Sequence, residues 1–175
     1  MIPLSVDWSL ALFVMMALFH WVFVPLTLGL SVIVAITESI SFRTGDDGWK
    51  KLTRFWMRIF LVNFIASATT GLILKLEYTD LWSDYSWFTG DFFGSSMALE
   101  GILAFLLQGG LVTLMFFGLN RYRKGVNLII AWGVAIIVNL SVIWLLATHA
   151  WMQNPIGYTF NPQTAQLEVD NLRSI

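Results

Sequence analysis

The sequence contains no cysteine among its 175 residues, which excludes disulfide bonds, zinc thiolate sites, iron–sulfur clusters and thioether-attached haem. Charge is also scarce, since Asp, Glu, Lys and Arg make up 12% of the chain, about half the share of an ordinary soluble domain. The net charge is −1 and there is no basic patch, so nothing predicts a nucleic-acid partner. A soluble fold of this length needs a polar surface that these residues cannot supply.

Apolar residues dominate what is present, at 57% of the chain with a mean hydropathy of +0.72. Four apolar segments, at about residues 8–36, 55–74, 96–119 and 128–150, each reach the roughly 20 residues that a helix needs to cross a bilayer. We therefore predict an all-α fold, an integral membrane four-helix bundle in one domain, surrounded by lipid. A short polar tail over residues 151–175 should follow, with turns at Asn154-Pro155 and Asn161-Pro162.

The basic residues predict how the helices cross the membrane. Eight of the ten Lys and Arg residues lie in or beside the first and third connections: Arg43, Lys50, Lys51, Arg54, Arg58, Arg121, Arg123 and Lys124. Two connections separated by two spans lie on the same side, and the positive-inside rule makes that side the cytoplasm. The second connection, at about residues 77–94, is acidic and aromatic. We expect it on the outer side, together with both termini.

His20 is an ionisable residue deep inside the first apolar segment. It lies about twelve residues into that segment, or roughly 18 Å along a helix, near the middle of the bilayer. Such residues are costly in lipid and are therefore functional candidates. Neutral imidazole is a common ligand of haem iron, but a histidine here can also hydrogen-bond to a neighbouring helix. The sequence by itself leaves both roles open.

Glu100 and Gln108 are the polar candidates on the third segment. A carboxylate one turn into a membrane helix suits proton transfer, although an interfacial Glu in contact with water is the alternative. Eight residues advance a helix by roughly 80° beyond two full turns. Glu100 and Gln108 can therefore line one cavity without stacking directly.

Other residues in the spans predict packing between helices. Polar side chains are expected to form interhelical hydrogen bonds, and this set consists of Asn63, Ser67, Thr69, Thr70, Asn139 and Ser141. Glycines are expected to allow close helix approach, and this set consists of Gly101, Gly109, Gly110 and Gly118. His149 is expected at the outer membrane interface.

Five segments, in order and spacing, resemble the first four helices of subunit I of the cytochrome bd quinol oxidases. They are HWVFVPLTLG at 20–29, GDFFG at 90–94, ALEG at 98–101, NLS at 139–141 and WMQNP at 151–155, and together they extend over nearly the whole chain. The resemblance implies a multi-pass subunit in the cell membrane of a prokaryote. Such a subunit binds haem of the b and/or d type, oxidises quinol and reduces oxygen to water within a respiratory electron transport chain.

The resemblance also implies roles for individual residues. The position of His20 is an axial ligand of the haem iron at the oxygen-reducing centre, and the position of Glu100 lies beside that haem, in its coordination environment or in proton delivery. Gln108 stands where the family usually has a second Glu, and an amide cannot relay protons as a carboxylate does. Leu10 and Leu12 stand where the family has Arg and Gln.

The family's remaining sites lie on helices beyond these four. They are the His and Met ligands of the low-spin haem, the quinol-binding loop and a later Glu ligand. We therefore expect the remaining helices of the oxidase subunit, or a second membrane subunit, as partners, with quinol and oxygen bound by the full assembly. The alternative is a short divergent paralogue with a structural or single-haem electron-transfer role that does not reduce oxygen. A small transporter is disfavoured, because the spans contain few charges and no pair of broken helices.

Overall fold

The computed structural model describes residues 8–81, 105–118, 121–153, 158–163 and 166–169. These ranges contain four helices, α1 (Trp8–Thr44), α2 (Asp47–Leu81), α3 (Phe105–Gly118) and α4 (Lys124–Gln153). Three of them are long and apolar enough to cross a membrane, over Leu10–Thr44, Asp47–Leu76 and Lys124–Ala147, and α3 is a shorter apolar helix. The predicted helical architecture is confirmed, with three candidate membrane spans. A fourth span over residues 96–119 stays a prediction, because residues 96–104 and 119 lie outside the described ranges.

The first two helices extend well beyond their apolar segments. The predicted first connection, between about residues 36 and 55, is almost entirely helical, and only Gly45 and Asp46 separate α1 from α2. Gly45 has a φ of 68°, the left-handed conformation in which glycine commonly ends a helix. The side chain of Asp46 accepts a hydrogen bond from the N–H of Gly48 at 3.1 Å and so caps α2. Capping residues, rather than hydropathy, set these helix ends.

The bundle core takes residues from all four helices. Its fully or nearly buried apolar members are Leu30, Val34 and Ala35 of α1, Met57 and Phe60 of α2, Val112 and Met115 of α3, and Ala131, Val134, Ala135 and Val138 of α4. On α1 this core begins only after Thr27. The earlier half of the helix exposes large apolar side chains, with Trp21 at 81%. The packed part of the bundle is therefore the half nearer the basic connections.

Polar side chains join the helices inside the bundle, as predicted. The amide of Asn63 on α2 donates to the Phe23 carbonyl at 2.9 Å and to the Thr27 hydroxyl at 2.6 Å, both on α1. Asn139 on α4 donates to the hydroxyl of Ser31 at 3.3 Å. These bonds stabilise the bundle because lipid offers the same groups no alternative partner.

The described residues do not show the predicted close helix approach at Gly109 and Gly110. Among the described residues, no atom outside the local backbone lies within 4 Å of a Cβ built at either position. Gly118 faces the ring of Tyr122 in the turn that follows its own helix, and Gly101 lies outside the described ranges. The sequence shows where a glycine is, but it does not show what faces it.

The polar tail contains a structure that the all-α prediction lacked. Strands β1 (Tyr158–Asn161) and β2 (Gln166–Val169) pair antiparallel, with Tyr158 opposite Val169 and Asn161 opposite Gln166. The predicted turn at Asn161-Pro162 is confirmed, since residues 162 and 163 form a turn after β1. The other predicted turn, at Asn154-Pro155, falls largely outside the described residues.

Candidate functional site around His20

His20 is half-buried on α1 and faces α2. Its Nδ1 lies 3.0 Å from the Oγ1 of Thr70, and that hydroxyl lies 2.9 Å from the carbonyl of Ala66 and 3.0 Å from the carbonyl of Ser67. Nδ1 thus holds the imidazole on the neighbouring helix. Because imidazole has a second nitrogen, this interhelical bond is compatible with ligation through Nε2, so the two roles considered from the sequence do not exclude each other.

Gly71 allows the ring to approach α2 this closely. A Cβ built at Gly71 would lie 2.9 Å from the Cε1 of His20, closer than real Cβ contacts come. The sequence analysis missed this residue. The available signal was a glycine inside a helical span beside a polar Thr70, because such a glycine usually has a packing reason.

The surroundings of His20 are apolar and aromatic. Phe19 and Phe23 stack along α1 with ring centroids 6.4 Å apart and an angle of 13° between planes, and the neighbouring Trp21 is largely exposed. In the described ranges, no three His, Asp or Glu side chains converge on a point where they could hold a metal ion. A single imidazole nitrogen beside a broad apolar surface fits the axial side of a haem, whose iron needs few protein ligands and whose macrocycle needs apolar walls.

The other predicted site residues are not brought to His20 by the described structure. The Nε2 of Gln108 donates to the Oγ of Ser141 at 2.7 Å, which joins α3 to α4. Glu100 and the side chain of His149 lie outside the described residues. A shared cavity for Glu100 and Gln108 therefore stays a prediction.

Glu38 is a polar residue that the sequence analysis missed, because the first span was predicted to end near residue 36. It is only 7% exposed on α1, and the positive charge of Lys50 acts on its carboxylate. It lines a cavity of about 210 Å³ with Asp46, Asp47, Lys50 and Lys124 among the other lining residues. Eighteen residues separate it from His20, roughly 27 Å along the helix, so this cavity is distinct from the His20 site.

Sequence comparison identifies relatives over nearly the full chain. The family model of cytochrome bd terminal oxidase subunit I matches residues 8–175. Subunit 1 of the cytochrome bd-II ubiquinol oxidase of Escherichia coli (strain K12) is 39% identical over 170 residues, which cover 97% of this chain and 33% of the relative. Subunit 1 of the cytochrome bd ubiquinol oxidase of Bacillus subtilis (strain 168) is 34% identical over 150 residues, which cover 86% of this chain and 32% of the relative.

The fold agrees with these sequence relatives. The bd oxidase from Geobacillus thermodenitrificans superposes with a TM-score of 0.81 at 21% identity, covering 93% of this chain and 37% of that chain. This chain therefore spans about a third of the length of the proteins that it matches. Within that span the family match is continuous from α1 to the end of the sequence, and the chain belongs to the cytochrome bd terminal oxidase subunit I family.

Proposed function

We propose that this chain forms part of the haem-bearing membrane subunit of a quinol oxidase in a prokaryotic respiratory chain, in which His20 would hold haem iron through Nε2. The observation that carries the proposal is that one nitrogen of the imidazole is already engaged by the neighbouring helix. Thr70 on α2 holds Nδ1, so Nε2 is the ring nitrogen proposed to bind iron. Membership of the family supports haem as the cofactor. The relatives are ubiquinol oxidases, which supports quinol as the substrate.

A haem of the b and/or d type, when bound here, supplies one-electron transfer and a site for oxygen. The residues of this chain would hold and orient it. His20 would bind the iron, and the aromatic residues of α1 would restrict water near it. Glu100 is proposed to exchange protons close to the same haem, whereas Gln108 is proposed to act only as a hydrogen-bonding residue. Quinol binding and the remaining haem ligands are assigned to the other oxidase helices or to a second membrane subunit.

A specific observation favours a second candidate, a paralogue that carries haem without reducing oxygen. Gln108 occupies the position of a usual family Glu, and its amide is engaged with Ser141, which is a structural arrangement. This candidate predicts a haem spectrum without oxygen consumption in the assembled complex.

The test replaces His20 with Ala in the assembled oxidase that contains this chain. Because no other described side chain offers an imidazole, His20→Ala should remove one haem or strongly shift its Soret band. The measurement is a pyridine haemochrome assay together with the absorption spectrum. His149→Ala is the matched control and should leave both unchanged. An unaltered spectrum in His20→Ala would move the ligand to another residue.

A further inference from the structure

We infer that Thr70 is a positioning residue that fixes the tautomer of His20, so that the lone pair lies on Nε2 and is available to iron. This inference rests on the proposed haem ligation by His20. It depends on how a single hydroxyl proton is shared among the groups around Thr70. The hydroxyl lies within hydrogen-bond distance of three partners: the Ala66 carbonyl, the Ser67 carbonyl and the Nδ1 of His20.

The two carbonyls determine the direction of the bond to His20. A carbonyl oxygen only accepts, so the Thr70 hydroxyl donates its one proton toward the carbonyls of Ala66 and Ser67, as threonines commonly do within a helix. Its oxygen then has only lone pairs left for Nδ1. The ring must therefore donate, and Nδ1 carries the proton.

The consequence for Nε2 follows from the chemistry of neutral imidazole, which has one N–H and one basic nitrogen. With the proton on Nδ1, Nε2 is the basic nitrogen and can bind a metal. The hydrogen bond between Nδ1 and Thr70 stabilises this tautomer. A hydrogen bond of this kind at the distal nitrogen sets ring orientation and raises the basicity of the ligating nitrogen.

Gly71 completes the arrangement by setting where the ring lies. Because a Cβ at this position would come within 2.9 Å of Cε1, only glycine allows the ring to rest against α2 at hydrogen-bond distance from Thr70. Two adjacent residues thus have separate roles. The hydroxyl of Thr70 determines which ring nitrogen carries the proton, and the absence of a side chain at Gly71 determines where the ring lies.

The experiment compares four variants in the assembled oxidase. Thr70→Val keeps the shape and removes the hydroxyl, Thr70→Ser keeps the hydroxyl, and Thr69→Val is the control because Thr69 is exposed on the same helix. His20→Ala tests the ligand itself. The readouts are haem content, the iron–histidine stretching band in resonance Raman spectra of the reduced protein, and the midpoint potential of the haem.

Thr70→Val should weaken haem binding by about 10-fold, lower the frequency of the iron–histidine stretch and raise the midpoint potential, because a less basic imidazole stabilises ferric iron less. Thr70→Ser should stay close to the parent protein, and Thr69→Val should match it. If Thr70 had only a structural role, Thr70→Val would change the stability of the protein without shifting the iron–histidine stretching band or the midpoint potential of the haem.

The outcomes separate this inference from the proposed function. If His20→Ala loses the haem signal while Thr70→Val keeps the parental stretch and potential, the tautomer role is overturned and haem ligation stands. If His20→Ala leaves the spectrum unchanged, haem ligation fails and the role of Thr70 fails with it. If Thr70→Val does not assemble, Thr70→Ala removes the hydroxyl without a branched side chain and must show the same shifts.

Discussion

Gln108 shows how one residue can occupy a family position and still differ in chemistry. Its Nε2 donates to the Ser141 hydroxyl, so the amide is committed to packing α3 on α4. An amide has no proton to exchange near neutral pH, whereas a carboxylate does. If the chain takes part in oxygen reduction, we therefore expect proton transfer to depend on Glu100 rather than on Gln108.

We predict that Glu100→Gln reduces oxygen consumption by about 100-fold, the usual lower range for loss of a proton-transferring group. Gln108→Ala should cost far less, and Gln108→Glu, which restores the usual residue of the family, should retain or increase turnover. The measurement is oxygen consumption of the assembled oxidase over a pH series, normalised to haem content. Full turnover of Glu100→Gln at every pH would make Glu100 an interfacial residue without a proton-transfer role.

At the residue scale, the sequence indicated candidate residues but not how they contact each other. His20 is a candidate because it is an ionisable residue deep in an apolar segment. Thr70 was predicted to form a hydrogen bond between helices. The contact of Gly71 with the His20 ring could not be predicted, because it depends on the relative height of α1 and α2. For the same reason, the sequence could not show that no described residue packs against Gly109 or Gly110.

At the scale of the helices, Asn63 is the main polar link between α1 and α2. It is nearly buried and reaches two acceptors on α1. Hydrogen bonds between membrane helices contribute about 0.6–2 kcal/mol. The link lies in the middle of the helix pair, between the packed core and His20.

Asn63→Leu should therefore destabilise the chain by about 1 kcal/mol, because Leu has a similar size but cannot donate to Phe23 or Thr27. Stability can be measured as the midpoint of unfolding in a detergent titration of the purified protein. Val62→Leu is the control, since Val62 is 71% exposed on the adjacent helical position and should change the midpoint little. Equal effects of the two variants would show that the hydrogen bonds of Asn63 add no net stability.

The ends of the helices illustrate the limit of hydropathy as a predictor. Apolar residues report which segment lies in lipid, and α1 and α2 were recognised on that basis. They continue past the apolar segments, to Thr44 and from Asp47, because charged residues such as Lys50 and Arg54 are also good helix formers. The stop at Gly45 and the cap at Asp46 were both present in the sequence as helix-ending and helix-starting residues.

At the scale of the whole molecule, the described residues pack mainly at one end. Their core and the cavity beside Glu38 lie toward the basic connections, whereas the half of α1 that contains His20 exposes large apolar side chains. The chain also spans about a third of the length of its relatives.

The orientation of the whole bundle remains a prediction from the positive-inside rule. A cysteine at Gln163, in the turn after β1, should react with a membrane-impermeant thiol reagent added outside intact cells, and a cysteine at Asp47, at the start of α2, should not. Since the chain has no cysteine of its own, unmodified protein gives the background. Both positions should react once the cells are permeabilised. Labelling of Asp47→Cys alone in intact cells would reverse the orientation.

The face of α1 that contains His20, Thr27 and Ser31 also has a consequence for how the family's sequences can change. These residues are spaced by seven and four, so they fall on one side of the helix, and each bonds to a different partner on α2 or α4. Inserting or deleting one residue between them would turn the rest of the helix by about 100° and break the matched bonds together. The number of residues along α1 thus determines how deep the His20 site lies in the membrane. We therefore expect substitutions on this helix to be tolerated more readily than insertions or deletions.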